Sequence, residues 1–230
     1  MIGAHITEAG FDGLIASVGG YVDVRGQVLQ HLNIPVEHLQ HAVEFLDTHD
    51  IAFLLESIGG VYGSRDARPR LRRRLFGDVT DELTVAELDR GLHDFVDNLV
   101  VDAELLRPDI SKLMFFDSAL SVDAVREEFT GTFDVIPGSV RRFGDVSGEM
   151  SLPGVHKARG IDVVIDHLAL SRQDTIAFGD SFNDLEMLQY VHTGVAMAGA
   201  HPSVTAVADA VTGAPDQDGI ADGFRATGLI

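Results

Sequence analysis

The chain contains no cysteine, no long apolar run and few basic residues. The absence of cysteine among the 230 residues excludes disulfides and any metal site built on thiolates. No stretch approaches the ~20 consecutive apolar residues that a helix needs to cross a bilayer. The residues after Met1 also lack the basic flank and apolar run of a secretion signal. We therefore expect a globular, cytoplasmic protein with no membrane partner.

Basic residues are outnumbered by acidic ones, with 17 Lys and Arg against 36 Asp and Glu and a formal net charge of −19. A surface with this charge repels the phosphate backbone of nucleic acids unless a local basic patch overcomes the field. We therefore expect no nucleic-acid partner. Clustered carboxylates would suit a divalent cation, although most acidic residues of a globular protein simply face water.

The C-terminal part of the chain alternates between strand and helix patterns. Short apolar runs at 175–178, 195–197 and 210–212 predict buried strands, and residues at helical spacing lie between them. This order with short loops predicts an α/β fold with a doubly wound parallel sheet. Ligands bind such sheets at the carboxyl ends of the strands, and Asp180 follows the first of these runs.

The middle of the chain has its own α/β pattern. A capping-box pair, Thr84 and Glu87, predicts a helix that begins at Val85. The other predicted elements are helices over 36–46 and from Asp123, and strands over 51–55, 113–116, 133–136 and 146–152. These elements are enough for a compact domain.

Residues 179–184, Gly-Asp-Ser-Phe-Asn-Asp, form the strongest candidate site. Glycine permits a tight strand-to-helix turn, and Asp180 and Asp184 can face one pocket across the first helical turn. Hard oxygen ligands of this kind suit Mg²⁺. The alternative is simple N-capping of the following helix. Lys157 begins the preceding predicted helix, so it should reach the same sheet edge, where an ammonium group can neutralise a phosphoryl group.

Four stretches in this order closely resemble Cof-type members of the haloacid dehalogenase superfamily. They are residues 154–160, 179–188, 194–200 and 218–221. The likeness extends upstream, where residues 11–22 resemble the third core strand of the family and the residues that lead from it toward the cap domain. Residues 112–116 and 148–150 resemble elements of that cap.

The resemblance implies a Rossmann-like core with an inserted α/β cap, with core segments 1–34 and 148–230 and a cap at 35–147. It also implies Mg²⁺-dependent hydrolysis of small phosphate esters through an aspartyl-phosphate. In this match Lys157 is the catalytic, phosphate-binding lysine, and Asn183 binds substrate. Asp180 binds the metal, and Asp184 supports it or serves as a second ligand.

One family motif, Asp-x-Asp-Gly-Thr with its nucleophilic aspartate, does not occur in the sequence. Aligning residues 11–13 with this motif would put Gly10 at the nucleophile position, so we reject that alignment. We expect a core sheet that is incomplete at its N-terminal side because the chain starts late. Two hypotheses follow: a phosphohydrolase in its complete form, or a catalytically inactive remnant that at most binds an anion, a metal or a partner.

Two lesser signals lie in the middle of the chain. The arginines at 65, 68, 70, 72, 73 and 74 could steer an anionic substrate, but such a run is more often a solvated face. His38 and His41 have a spacing that could bind a metal, but nothing nearby completes a ligand set, so we interpret both as surface residues.

Overall fold

The computed structural model describes residues 10–77, 90–101 and 103–230, and it divides the chain into two compact units. His31–Gly154, with residues 10–12 grouped beside it, forms what we call the middle unit. Gly13–Gln30 and Val155–Ile230 together form what we call the split unit. The chain therefore enters the split unit, completes the middle unit and returns.

The middle unit is built on a five-stranded antiparallel sheet. Its strands are β4 (Ala52–Ser57), β5 (Gly60–Gly63), β6 (Ile110–Phe116), β7 (Asp134–Pro137) and β8 (Gly148–Ser151), in the order β5-β4-β6-β8-β7. Its helices are α1 (Val36–Thr48), α2 (Ala67–Phe76), α3 (Arg90–Asp97) and α4 (Val122–Glu128). The predicted helices at 36 and 123 and the predicted strands are therefore confirmed, whereas the predicted start at Val85 lies outside the described residues.

Helices cover both faces of this sheet because apolar residues occupy successive positions along the central strands. Phe53 and Phe115 point to one face, where they pack with α1 and α4. Leu54 and Phe116 point to the other face, where they pack with α2 and α3. Both phenylalanines of the first face are fully buried, and burial of such a side chain stabilises a fold by about 1.5–3 kcal/mol.

A buried ionic network crosses the three middle strands of the sheet. Lys112 on β6 binds Glu56 on β4 at 3.2 Å and Glu149 on β8 at 2.9 Å. Burial by itself would lower the pKa of Lys112, but the two carboxylates outweigh it and hold that pKa above its usual value. Burial would raise the pKa of Glu149, yet Lys112 and the hydrogen bonds from Ser139 keep it below the usual value. Lys112 and Glu149 therefore stay charged near neutral pH.

The split unit contains two three-stranded sheets. In one of them β1 (Gly13–Ala16) pairs antiparallel with β2 (Tyr21–Val24), which neighbours β3 (Gln27–His31). The other is parallel, in the order β11-β10-β9, with β9 (Ile176–Gly179), β10 (Thr193–Met197) and β11 (Ala210–Thr212). Its helices are α5 (Lys157–Leu168), α6 (Leu185–Tyr190), α7 (Pro202–Val207) and α8 (Gly219–Ala226).

The parallel sheet has helices on both faces, which confirms the predicted α/β fold. Ala177 packs with Leu188 of α6 and Val204 of α7 on one face. Phe178 points the other way and stacks edge-on against Phe224 of α8, with ring centroids 5.0 Å apart. Strand, helix and strand thus alternate as the apolar spacing predicted.

Two observed boundaries differ from the expectations of the sequence. Residues 11–17 were expected to be the third core strand, but β1 pairs with β2 across a short turn and does not join the described parallel sheet. The expected boundary puts residues 148–230 in the core although residues 148–150 resemble a cap element, and β8 hydrogen-bonds between β6 and β7 of the middle unit. The backbone hydrogen bonds of β1 are taken up by the adjacent strand β2, and those of β8 by β7 and the more distant strand β6.

Candidate active site

The candidate site begins where β9 ends in a tight turn. Asp180 and Ser181 follow Gly179, and a single 3-10 turn, Phe182–Asp184, leads into α6. The Asp184 Oδ2 atom accepts hydrogen bonds from the backbone N–H groups of Asp180 and Ser181, each at 3.0 Å. A Cβ on Gly179 would lie 2.5 Å from the Asp184 Cβ, so only glycine lets this carboxylate fold back over the turn.

Lys157 reaches this turn from the first position of α5. The preceding residue, His156, caps the helix, because its Nδ1 accepts from the backbone N–H of Arg159 at 3.3 Å. The Lys157 ammonium then donates to Asn183 Oδ1 at 3.0 Å and to Asp184 Oδ1 at 2.5 Å. The structure therefore brings together Lys157, Asn183 and Asp184 beside Asp180.

Asp180 and Asp184 differ in burial and in how many hydrogen bonds their carboxylate oxygens accept. Asp184 is 4% exposed, and both of its oxygens accept hydrogen bonds from the turn or from Lys157. Asp180 is half-buried, and its Oδ1 accepts from the Ser181 hydroxyl at 3.2 Å. The N-capping alternative therefore applies to Ser181 and Asp184, which form a capping box.

The donor chemistry fits a cation at Asp180. Mg²⁺ keeps several waters and takes one or two carboxylates, so a single accessible aspartate is a suitable partial site. Within residues 10–77, 90–101 and 103–230, no group of three or more acidic or histidine side chains converges into a complete ligand set. The metal roles of Asp180 and Asp184 and the substrate roles of Lys157 and Asn183 stay predictions.

A glycine that the sequence did not single out helps to place Lys157. Gly19, in the turn between β1 and β2, has a φ of +100°. A Cβ at this position would lie 2.3 Å from the His156 carbonyl oxygen and 3.3 Å from the Lys157 nitrogen. The turn therefore packs backbone against backbone on the start of α5. The adjacent pair Gly19-Gly20 was the available signal, because such pairs mark tight turns.

Three arginines of the run in the middle unit form ion pairs with aspartates, while Arg65, Arg73 and Arg74 are exposed, in agreement with a solvated face. Arg70 binds Asp50 and Asp66, and Arg73 and Arg74 both bind Asp117. A free guanidinium is needed to steer an anion, so these three arginines are poor candidates for that task. Arg68 instead donates to a backbone carbonyl, that of Leu99.

The two histidines of α1 have different surroundings. His41 is exposed and lies 3.0 Å from Glu128, which agrees with its prediction as a surface residue. His38 is half-buried, with its ring at the edge of Phe133, so the surface interpretation is wrong for this residue.

No helix of the described residues is long and apolar enough to span a membrane.

A family model for haloacid dehalogenase-like hydrolases matches residues 1–224 of the chain. The chain belongs to this family. Among curated members, "Putative phosphatase YkrA" of Bacillus subtilis is 45% identical over 89 residues, which are 39% of this chain and 35% of that protein. The chain thus matches about a third of YkrA. The B. subtilis protein "5-amino-6-(5-phospho-D-ribitylamino)uracil phosphatase YitU" is 25% identical over 193 residues, 83% of this chain and 66% of YitU.

Solved structures of haloacid dehalogenase-like hydrolases share the fold of the chain. The structure titled as the "HAD Subclass IIB Sugar Phosphatase BT4131" superposes with a TM-score of 0.74 at 21% identity. The match covers 99% of this chain and 80% of that one. This likeness confirms the α/β architecture and carries no information about the substrate.

Proposed function

We propose that this chain carries the metal- and phosphate-binding part of a Mg²⁺-dependent phosphohydrolase, which in its complete form is a phosphoric monoester hydrolase of small phosphorylated metabolites. The observation that carries the proposal is the Lys157 ammonium, held between Asn183 and Asp184 at the edge where β9 ends. Its family and the phosphatase names of its relatives support this assignment. In this proposal His31–Gly154 is the cap domain and the split unit is the core.

The geometry gives Lys157 one N–H for substrate. An ammonium group has three donors, and Asn183 and Asp184 accept two of them. The third can bind a phosphoryl oxygen, since the Lys157 side chain is 31% exposed. Such a preorganised charge stabilises the negative oxygens of a transferring phosphoryl group.

We assign the direct metal ligand to Asp180 and a positioning role to Asp184. A bound Mg²⁺ would supply positive charge to the phosphoryl oxygens. Asp184 already uses both oxygens, so its contribution is to fix the turn that carries Asp180 and to orient Lys157.

Phosphate binding tests the role of Lys157. Calorimetric titration of inorganic phosphate in the presence of Mg²⁺ should show at least tenfold weaker binding for Lys157→Ala. Arg159→Ala removes the same charge from an exposed position on the same helix and should change affinity less than twofold. Equal losses of phosphate affinity in the two variants would show that Lys157 contributes only to the overall positive charge and does not contact the phosphate.

Magnesium binding tests the role of Asp180. The Asp180→Asn variant should lose the heat of Mg²⁺ binding, whereas Asp166→Asn, on the exposed side of α5, should retain it. Indistinguishable isotherms for wild type and Asp180→Asn would remove the metal from the proposal.

The absence of Asp-x-Asp-Gly-Thr from the sequence favours a second candidate, a non-catalytic protein that binds the anion or metal. Loss of a nucleophile leaves only residual catalysis, orders of magnitude below an intact enzyme. We expect no measurable turnover of p-nitrophenyl phosphate by this chain. Turnover that disappears in Asp180→Asn would exclude the binding-only alternative and show that another residue supplies the nucleophile.

A further inference from the structure

A cavity of about 530 Å³ lies within the middle unit and has no role in the function proposed above. Small-molecule sites typically have volumes of roughly 300–1,000 Å³ and a few polar groups on otherwise apolar walls. The residues that line this cavity include both kinds: Asp47, Gly63, Ser64, Arg65, Ala103 and Leu105. The polar groups among them indicate which ligand the cavity can hold.

The last turn of α1 and the turn after β5 reach the same cavity because both are tied to the start of β4. Only three residues separate the end of α1 at Thr48 from β4. The backbone N–H of Ser64, directly after β5, donates to the Phe53 carbonyl of β4 at 3.1 Å. The Phe53 N–H donates in return to the Ser64 hydroxyl at 3.4 Å. Ser64 is almost fully buried, so it holds the neighbouring Arg65 at the cavity.

Two of the lining side chains carry opposite charges that do not pair with each other. Arg65 acts on Asp47 through its charge alone. In the part of the chain that the structure describes, neither the Asp47 carboxylate nor the Arg65 guanidinium has a hydrogen-bond or ion-pair partner. Asp66, which follows Arg65, is instead bound by Arg70 at 2.6 Å. The cavity therefore has a negative pole at Asp47 and a positive pole at Arg65.

The negative pole favours an ammonium group. Partial burial and the nearby Asp66 raise the pKa of Asp47, and Arg65 offsets them only in part. A cation beside Asp47 would therefore stabilise the ionised carboxylate. Asp47 also lies in the last turn of α1, which contains no basic residue. The helix dipole favours positive charge at this end.

The positive pole favours a carboxylate. A guanidinium binds the two oxygens of a carboxylate through parallel N–H donors. A ligand with only negative charge would also pair with Arg65, but Asp47 and Asp66 would repel it. A ligand with one charge of each sign satisfies both poles, and the apolar walls at Ala103 and Leu105 suit an aliphatic side chain.

We propose that the cavity of the middle unit binds a free α-amino acid with an aliphatic side chain. Its ammonium group pairs with Asp47, its carboxylate pairs with Arg65, and its side chain packs on Ala103 and Leu105. The inference does not depend on the phosphohydrolase function. It gives the chain a binding site for a second class of ligand.

Leucine and two analogues, each with one charged group removed, test the proposal. 4-Methylpentanoate is leucine without the ammonium group, and 3-methylbutylamine is leucine without the carboxylate. Dissociation constants for the whole chain would be measured by calorimetry. Wild type should bind leucine about tenfold more tightly than either analogue, because each analogue lacks one charge-assisted contact.

Substitution of the two poles should give a crossed pattern. Asp47→Asn should weaken the binding of leucine and 3-methylbutylamine about tenfold and leave 4-methylpentanoate within about twofold of wild type. Arg65→Gln should weaken leucine and 4-methylpentanoate by a similar factor and leave 3-methylbutylamine unchanged. Each variant thus loses only the ligands that carry the opposite charge of the residue removed.

Matched controls separate this pattern from bulk charge and from folding. Glu37→Gln, at an exposed position of α1, and Arg159→Gln, at an exposed position of α5, make the same charge changes away from the cavity and should leave all three affinities unchanged. Asp47 and Arg65 lie in different elements, so the crossed pattern of one variant decides if the other does not fold.

Three results would overturn the proposal. The first is a wild type that does not bind leucine. The second is equal affinity of wild type for leucine and both analogues, which would mean that only the alkyl group is bound. The third is equal weakening of all three ligands in Asp47→Asn and in Arg65→Gln, which would show that neither residue contacts a particular charged group of the ligand.

Discussion

At the scale of single residues, Asp184 combines structure and charge in one carboxylate. It closes the turn through two backbone N–H groups and holds the ammonium of Lys157, while it is almost fully buried. A buried carboxylate with several charge-assisted hydrogen bonds is costly to replace, because each partner loses its acceptor or its counter-charge.

Replacement of Asp184 should therefore destabilise the protein more than replacement of Asp180. We expect Asp184→Asn to lower the free energy of unfolding by about 2–3 kcal/mol, in the upper part of the range for hydrogen bonds to charged groups. Asp180→Asn, at a half-buried position with one side-chain hydrogen bond, should cost less than about 1 kcal/mol. Urea unfolding of both variants measures the difference. Equal values would show that the buried bonds of Asp184 contribute little.

Gly19 provides a second test at the residue scale. An alanine there has both an unfavourable positive φ and a clash with the His156 carbonyl, which must move together with the start of α5. Gly26 has a φ of +82° but open space around its Cβ position, so Gly26→Ala isolates the backbone cost of about 1–2 kcal/mol. We expect Gly19→Ala to be clearly less stable in urea and to bind phosphate more weakly. Equal effects of both substitutions would mean that the turn does not position Lys157.

At the scale of elements, three strands of the middle unit depend on one buried ionic network. Lys112 lies between Glu56 and Glu149, and Glu149 Oε1 also accepts from the backbone N–H of Ser139, in the loop between β7 and β8. Loss of the Glu149 charge leaves Lys112 with Glu56 alone, which is the more exposed of the two carboxylates, and breaking a buried ion pair is strongly destabilising.

We expect Glu149→Gln to lower the free energy of unfolding by about 3 kcal/mol, within the range for a broken buried pair. Glu127→Gln, at an exposed position of α4, should stay within about 0.5 kcal/mol of wild type. The folded-state pKa of Glu149 is lowered, so its stabilisation is complete above the unfolded pKa of about 4.5 and is lost as pH falls through the folded value. Urea unfolding from pH 7 to pH 3 should show the wild-type advantage shrinking at the acid end. If the difference in free energy of unfolding between wild type and Glu149→Gln did not change with pH, the ionised Glu149 would not be the source of the stabilisation.

Periodicity predicted most elements because their apolar faces determine them locally. Helical spacing located α1 and α5, and apolar runs located β6, β9 and β10. Sequence placed β8 in the middle α/β pattern but could not give its neighbours β6 and β7, because strand pairing depends on distant residues and not on the apolar pattern. The residues of the site were predicted from the sequence. The difference in burial and hydrogen bonding between Asp180 and Asp184 was not, because it depends on which backbone N–H groups face each carboxylate. Such geometry is absent from residue spacing.

At the scale of the whole molecule, the position of β8 decides where the middle unit ends. β8 lies between β6 and β7, so a fragment that stops at residue 147 lacks an interior strand. We expect residues 31–154 to unfold cooperatively on heating, as a unit with its own core should. Residues 35–147 should be molten or insoluble. Calorimetry of the two fragments measures this, and a cooperative transition in the shorter one would restore the boundary predicted from the sequence.

The split unit also has a consequence for synthesis on the ribosome. The β1–β2 hairpin emerges early, yet α5, against which it packs, is translated only after the entire middle unit. Val22 and Val24, which are buried in the finished protein, therefore face water in the nascent chain while the middle unit folds. We expect this hairpin to be the segment that a chaperone holds on the growing polypeptide.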